Sequence, residues 1–419
     1  MNPKPIHNFS SYQKGVIALL AIVQFTVILD FMVMAPLGDM LMKSMTLNAK
    51  QFASAVSAYA FSAGISGLLA AGFADKYDRK ILLLLFYGGF ILGTLLCATA
   101  TSFELLLFGR IVTGLFAGVL GAVAMAIVAD LFSFDQRGRV MGFVQMSFAV
   151  SQVAGIPIGL YLANQFNWHA PFTMIVGFSL ITAVFIFYFL KPVTRHMEQK
   201  AKQNPITHLQ KTITNKNYWL PFITTALLSI GSFMLMPFST PFLINNVGVL
   251  QSQLPIIYIV MGICSMITLP MIGKLSDKIG KLTTFIAGSI LSATMVVIYT
   301  NLTPIPVWEV IVISSLMFAG IMSRMIPSQA LMTAVPKMED RGAFMSINSS
   351  LQQIAGGVAS VVAGMVIIQQ PGGKLFHFNT LGYVVIYIMV ICAVCMFAIN
   401  KQVRGKTQVK PKETVEMVA

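Results

Sequence analysis

Ala71-Gly72-Phe73-Ala74-Asp75-Lys76-Tyr77-Asp78-Arg79-Lys80 is a short charged stretch wedged between two apolar runs of membrane-spanning length. Gly273-Lys274-Leu275-Ser276-Asp277-Lys278-Ile279-Gly280-Lys281 repeats the arrangement in the second half of the chain. Each stretch reads as a tight turn at the same face of a membrane, and the pair reads as the trace of a duplicated half. Internally repeated helical membrane proteins typically move solutes through a site between the halves. Pro237 lies at the place in the second half that Pro36 holds in the first, which supports the duplication.

The rest of the chain fits that frame. With 56% hydrophobic and 10% charged residues over 419 positions, there are too few polar groups to cover a globular surface of this size, so the chain is an integral membrane protein. Apolar runs long enough to span fall near 14–37, 52–74, 81–100, 104–130, 140–164, 170–190, 218–243, 254–275, 282–300, 308–333, 343–368 and 380–400. The fold expected is all-α and polytopic, with twelve transmembrane helices in two six-helix bundles. The longest polar stretch between spans, 191–217, splits them into a first bundle at 1–190 and a second at 218–400, followed by a tail at 401–419.

A net charge of +14 invites a nucleic-acid reading, but the position of the bases decides against it. Lys76, Arg79, Lys80, Arg137, Arg139, the 191–217 bases, Lys274, Lys278, Lys281, Lys337 and Arg341 all fall in every second connection. Lys4, Lys14 and the bases of the tail lie on the same side, whereas the opposite loops hold only Lys43, Lys50 and Lys374. The positive-inside rule therefore places both termini in the cytoplasm, in a cell membrane expected to be a bacterial inner membrane. The first apolar run lacks the short h-region and cleavage site of a signal peptide and reads as a retained helix. Four cysteines, all inside spans, argue against a disulfide framework, and Cys392-x-x-Cys395 has no nearby His or acid to make a metal or redox site. Trp168, Trp219 and Trp308 each sit at a span end, as an interfacial aromatic belt requires.

Of fourteen acids, only Asp30 lies well inside an expected span. An ionisable group there costs roughly 2.5–3.5 kcal/mol on insertion scales, which makes it a functional residue by default and a carrier for a proton. At about 1.5 Å per residue, Asp30 sits roughly 22 Å above the cytoplasmic face and Arg110 roughly 9 Å below the outer one, at similar depth. Proton coupling is assigned to this pair, with a structural ion pair as the alternative. Arg324 is a second intramembrane cation, deeper toward the cytoplasm and without an acid in its own half, suited to a water-filled cavity and an anionic substrate group. Phe233, Met234, Met236 and Phe238 can supply an adaptable apolar wall beside it, unless they are simply packing. Small residues at four-residue spacing mark helix seams at Ser54, Ala58, Ser62, Ser66 and Ala70, at Ser147, Ser151, Gly155 and Gly159, and at Gly356, Ser360 and Gly364.

These residues resemble the major facilitator superfamily, and within it the twelve-helix drug:proton antiporters and sugar-efflux permeases. The first loop resembles the family's G-x-L-a-D-R-x-G-R-K signature at Ala74, Asp75, Arg79 and Lys80, and departs from it by Ala71 and Asp78 at the two glycines. The second copy keeps Gly273, Asp277 and Gly280. Arg110-x-x-x-Gly114 is similar to the fourth-helix motif associated with proton coupling, Asp30 with Pro36 to the first-helix signature, and Gly155-Ile156-Pro157-Ile158-Gly159 to the fifth-helix antiporter motif. The resemblance implies a conformational latch at the cytoplasmic face, in which Asp75, Arg79 and Lys80 work with Asp130, and Asp277 with Lys281 serves the second copy. Pro157 between two glycines is expected to kink the fifth helix. The function implied is proton-coupled efflux of a small amphipathic compound or drug by alternating access; the alternative is proton-coupled or facilitated uptake of a small, possibly anionic nutrient. Neither H-E-x-x-H nor G-x-S-x-G occurs and no His lies deep in a span, so an enzyme is not expected. No cofactor and no metal are expected; the partners are a small-molecule substrate, protons and the lipid bilayer, with no nucleic acid, for a chain expected to act as a monomer.

Overall fold

A computed structural model of the chain describes residues 9–73, 77–194, 197 and 205–408. Among them are twelve helices long and apolar enough to cross a membrane. The first six are Ser11–Val33, Ala49–Ala70, Arg79–Ala98, Phe103–Leu131, Gln136–Gln165 and Ala170–Phe189. The second six are Lys216–Val247, Gln251–Ile279, Lys281–Thr300, Val307–Thr333, Arg341–Val366 and Phe378–Arg404. They form two bundles of six. "Basic face" below denotes the side of the membrane that carries the Lys/Arg-rich connections.

Local chemistry fixes where the helices start. Ser10 caps the first span by accepting from the Gln13 backbone N–H at 3.2 Å, while the Gln13 side chain accepts from the Ser10 N–H at 3.0 Å. Ser102 caps the fourth in the same way through the Leu105 N–H. The two copies of the charged turn solve one problem differently. Gly280 starts the ninth span from φ 99°, a conformation open to glycine. Asp78 starts the third from φ −56°, and its carboxylate accepts from the Lys80 N–H at 2.8 Å and the Val193 N–H at 2.9 Å. The departure from glycine at Asp78 thus replaces a backbone freedom by a side-chain cap that also ties down the chain after the sixth span.

Within the first bundle the second and third spans pack on the fourth, the third also packs on the sixth, and the first packs on the fifth and sixth. The small-residue stripes are the seams. Ser147 and Ser151 of the fifth span donate to the Ala21 and Phe25 carbonyls of the first at 2.6 and 3.3 Å. The bundles meet chiefly where the second span lies along the eleventh and the fifth along the eighth. On the face opposite the basic one these pairs are in direct contact. A Cβ on Gly364 would stand 2.4 Å from the Ala53 Cβ and 3.1 Å from the Ala49 carbonyl oxygen. There, too, Asn245 of the seventh span donates to Asp39, whose other oxygen pairs with Lys43 at 2.9 Å, and Asn164 donates to the Gln251 carbonyl at 3.2 Å.

Several expectations are refined. The first span ends at Val33, before Pro36, and a separate helix Gly38–Ser44 follows it. Asp39 on that helix is buried, so the first span's acid is not alone in being shielded from water. The kink expected at Pro157 takes the form of a π turn over Ser151–Gly155, which supplies the register shift a helix needs when a proline withdraws its N–H. Trp219 and Trp308 are exposed at span ends, but Trp168 is buried, donating to the Ser44 hydroxyl at 3.1 Å, and belongs to the core rather than a lipid-facing belt. The polar 191–217 stretch contains a helix, Pro205–Thr214, packed against the second and eleventh spans. Its His208 meets Asp340 at 3.0 Å, and the Tyr218 hydroxyl donates to the same carboxylate at 2.7 Å, which holds the Asp340 carboxyl below the usual carboxylate range.

Gly364→Val tests the closure of the opposite face. The added methyls have no space against the second span, and overpacking of this kind costs about 1–3 kcal/mol. Spin labels at Thr46 and Gln370 are expected to report a longer separation in the variant; an unchanged distance distribution would show that the second and eleventh spans do not hold that face together.

Candidate functional site

The site begins with two charges that the fold removes from water. Asp30 and Arg110 are each 0% exposed, and Arg110 Nη1 donates to Asp30 Oδ2 at 2.8 Å and to the Asp30 carbonyl at 3.4 Å. Thr94 of the third span donates to Asp30 Oδ1 at 3.3 Å, so both carboxylate oxygens are engaged. The glycines around the pair explain how three helices come close enough. A Cβ on Gly93 would lie 2.5 Å from the Thr113 nitrogen, and one on Gly114 would lie 2.4 Å from the Tyr59 carbonyl oxygen. The Gly114 of the Arg110-x-x-x-Gly114 motif therefore brings the second span against the fourth, and that approach lays the Tyr59 ring 4.5 Å from the Arg110 guanidinium. Among the described residues, Arg110 Nε and Nη2 have no hydrogen-bond partner.

A cavity of about 530 Å³ lies between the bundles. Asp30 and Arg110 do not line it. Tyr59 does, and so does Phe31, whose ring packs 5.2 Å from Tyr59 and 5.8 Å from Phe233 of the second bundle. The Tyr59 ring is the partition between the ion pair and the cavity, and Phe31 and Phe233 extend it across the bundle interface. Sequence reading missed Tyr59, Thr94 and Phe31. Nothing distinguishes them in the sequence beyond Phe31 following Asp30.

Of the residues expected at the cavity, Arg324, Phe233 and Met236 line it, while Met234 is buried in the core of the second bundle. Phe238 is buried as well, its ring 5.9 Å from Phe52. Arg324 is 2% exposed, lies over the Phe285 ring at 5.7 Å, and leaves Nε and Nη2 without partners. Amides from both bundles also reach the lining, among them Gln24, Gln152, Asn348 and Gln353. Gln152 accepts from Ser265 across the interface at 3.2 Å. Gly155 faces Leu29 and Phe25, Gly159 faces Val33, and Pro157 is buried between them, so the fifth-span motif packs against the first span beside Asp30.

At the basic face, Arg79 Nε meets Asp130 Oδ2 at 3.3 Å within the first bundle. Lys80 donates to the Phe187 carbonyl at 2.8 Å. Asp277 and Lys281 stand 3.7 Å apart on the exposed end of the eighth span and the start of the ninth. Asp75 lies outside the described residues. Among the described residues no group of three or more His, Cys, Asp or Glu is gathered as a metal ion would need.

Comparison with known proteins accords with this arrangement. The family model described as Major Facilitator Superfamily matches residues 20–360 and 221–417. The MFS-type transporter YceJ of Bacillus subtilis (strain 168) is 26% identical over 65% of this chain and 70% of its own length. Multidrug resistance protein 2 of the same organism is 25% identical over 64% of this chain and 68% of its own. Among solved structures, a bacterial homologue of the human lysosomal transporter Spinster, inward-facing and unoccupied, superposes with a TM-score of 0.75 at 15% identity, covering 95% of this chain and 99% of that one.

The ion pair makes its own prediction. Removing one member of a buried pair strands the other, at about 3–5 kcal/mol, whereas removing both with polar isosteres does not. Arg110→Gln is therefore expected to lower the thermal unfolding midpoint more than Arg110→Gln combined with Asp30→Asn. Equal or additive losses would mean that the two charges do not depend on each other.

Proposed function

We propose, on the premise that the chain belongs to the major facilitator superfamily, that this secondary transporter exports a small amphipathic compound in exchange for protons by alternating access. The observation that carries the reading is the sealed Asp30–Arg110 pair behind the Tyr59 wall of the cavity. Protonating Asp30 breaks the 2.8 Å charge pair and releases a guanidinium that already leans on Tyr59. A change in proton occupancy then reaches a residue that faces the cavity, without the proton and the substrate sharing a site. Export is supported by the Gly155–Pro157–Gly159 packing against the first span and by likeness to a multidrug resistance protein. Uptake of a nutrient is the second reading, in which the cationic Arg324 at the cavity would select an anionic one.

The same proposal assigns the surrounding parts. Residues 1–190 and 218–400 act as the two rocking units, joined by 191–217 and followed by the 401–419 tail, as a monomer. Asp75, Arg79, Lys80 and Asp130, with Asp277 and Lys281 in the second copy, bias which face is closed rather than bind substrate. Partly exposed pairs are individually worth about 0–1 kcal/mol, yet about 1.4 kcal/mol shifts a balanced carrier tenfold. The basic face is the cytoplasmic one, in a bacterial inner membrane.

Two experiments test this. In proteoliposomes, with a compound selected by thermal shift, Asp30→Asn is expected to reduce pH-gradient-driven transport more than tenfold while leaving substrate exchange and binding measurable. Undiminished gradient-driven transport by the variant would remove Asp30 from proton coupling. For orientation, cysteines at Thr194 and Thr207 are expected to be shielded from impermeant thiol reagents in intact cells and one at Gly373 to label; the reverse pattern would invert the topology.

A further inference from the structure

Arg110 and Arg324 are both buried guanidiniums on corresponding spans of the two halves, but their charges are met differently. Arg110 has Asp30 at 2.8 Å. Arg324 has an aromatic face at 5.7 Å and the Cys392 thiol beside it, and among the described residues two of its nitrogens have no hydrogen-bond partner. Among the described residues the lining of this cavity holds no Asp or Glu, and Arg324 is its single charged side chain. A guanidinium held at 2% exposure without a counter-charge is costly, and the cost is relieved only by an anion or by water. An anion accepting two parallel N–H bonds suits the planar fork best.

The surroundings define the rest of the ligand. Arg324 lies nine residues before the basic-face end of the tenth span at Thr333, which is roughly 14 Å of helix. From there the lining continues toward the opposite face through Met322, Met317, Met236 and Phe233, unbranched thioethers and a ring that adapt to varied apolar shapes.

We propose that Arg324 is the head-group site for the substrate, and that the substrate class is a singly charged amphipathic anion: one carboxylate, sulfonate or phosphate monoester on an aromatic or aliphatic body of a size that 530 Å³ admits. This inference rests on the transporter reading but not on the direction of transport. Organic cations, which a cavity with an uncompensated guanidinium repels, are excluded as substrates. The proton and the anion then sit on different bundles, Asp30 in the first and Arg324 in the second.

The test reads head-group preference at equilibrium. A panel of phenylalkyl and alkyl carboxylates, sulfonates and phosphates, each matched to the alcohol and the trimethylammonium compound on the same body, is titrated against the protein in lipid nanodiscs, with empty discs as the control for partitioning. At least one anion is expected to bind tenfold or more tightly than both of its matched partners. Arg324→Gln should abolish that preference while leaving the affinity for the alcohol within twofold, and Arg324→Lys should restore part of it. The preference is measured first on the unaltered protein, so the result does not depend on whether Arg324→Gln folds. No anion outbinding its partners, a cation binding best, or a preference that survives Arg324→Gln would each overturn the proposal. Because the titrations use no pH gradient, absence of an anion preference in the unaltered protein with gradient-driven transport intact counts against the head-group site alone, and the converse counts against proton coupling alone.

Discussion

Every charge placed inside a hydrocarbon slab must be answered, and the answers available to this fold set its organisation. A guanidinium at the membrane centre is expensive on any scale. In the first bundle the answer is internal: four helices close until the Asp30 carboxylate and the Tyr59 ring meet the Arg110 cation, while the Thr94 hydroxyl donates to Asp30. That closure needs Gly93 and Gly114, because a Cβ at either would strike backbone at 2.5 or 2.4 Å. The second bundle places no acid beside Arg324 and leaves it at the wall of the cavity. One half of the molecule is thus electrically complete and the other is not, although the two guanidiniums sit on corresponding spans.

The glycine and serine seams extend the same logic from charges to motion. The first and fifth spans are joined by serine hydroxyls donated to carbonyls, contacts that belong within a bundle. Between bundles the second and eleventh spans meet through smooth surfaces, Gly64 and Gly67 against Ser350 and Gly364 against Ala53. Such surfaces have little interlocking to break when they separate. The polar contacts that cross between the bundles at the opposite face, Asn245 to Asp39 and Asn164 to the Gln251 carbonyl, are few enough to exchange for water. A face held mainly by close-packed small residues and two amide hydrogen bonds can open without dismantling either core.

The spans were legible because hydrophobic run length is nearly sufficient for a transmembrane helix. Asp30 and Arg110 were legible as a pair because counting residues from opposite faces puts them at one depth, and a charge in a span advertises itself. Tyr59 and Thr94 were not, because an aromatic and a threonine are ordinary in any span and acquire meaning only when Gly114 and Gly93 bring them against the ion pair. Trp168 shows the opposite error: a tryptophan at a span end fits the interfacial pattern, yet the neighbouring helix Gly38–Ser44 folds over it and its N–H finds Ser44. Met234 is close to Met236 in sequence, but it lies in the turn between the helices Lys216–Phe233 and Met236–Phe242 and is buried in the core, whereas Met236 lines the cavity. Asp78 departs from the glycine of the signature, and its side chain performs the capping that glycine cannot.

The charge of the cargo bears on direction. Moving one elementary charge across a membrane is worth about 2.3 kcal/mol per 100 mV. If a monoanion leaves the cell for each proton that enters, both movements carry positive charge inward, and an interior-negative potential of 100 mV contributes about 4.6 kcal/mol per cycle. Taking up the same anion with one proton moves no net charge and gains nothing from the potential. A cavity whose only charge is the guanidinium of Arg324 therefore suits export energetically as well as chemically, since the membrane already repels an anion from the cell interior. On the proposed proton coupling, the sealed pair in the first bundle needs only to ensure that the cavity turns back with a proton aboard. Tyr59 stands between that pair and the cavity, so the proposed proton site and the proposed anion site are distinct.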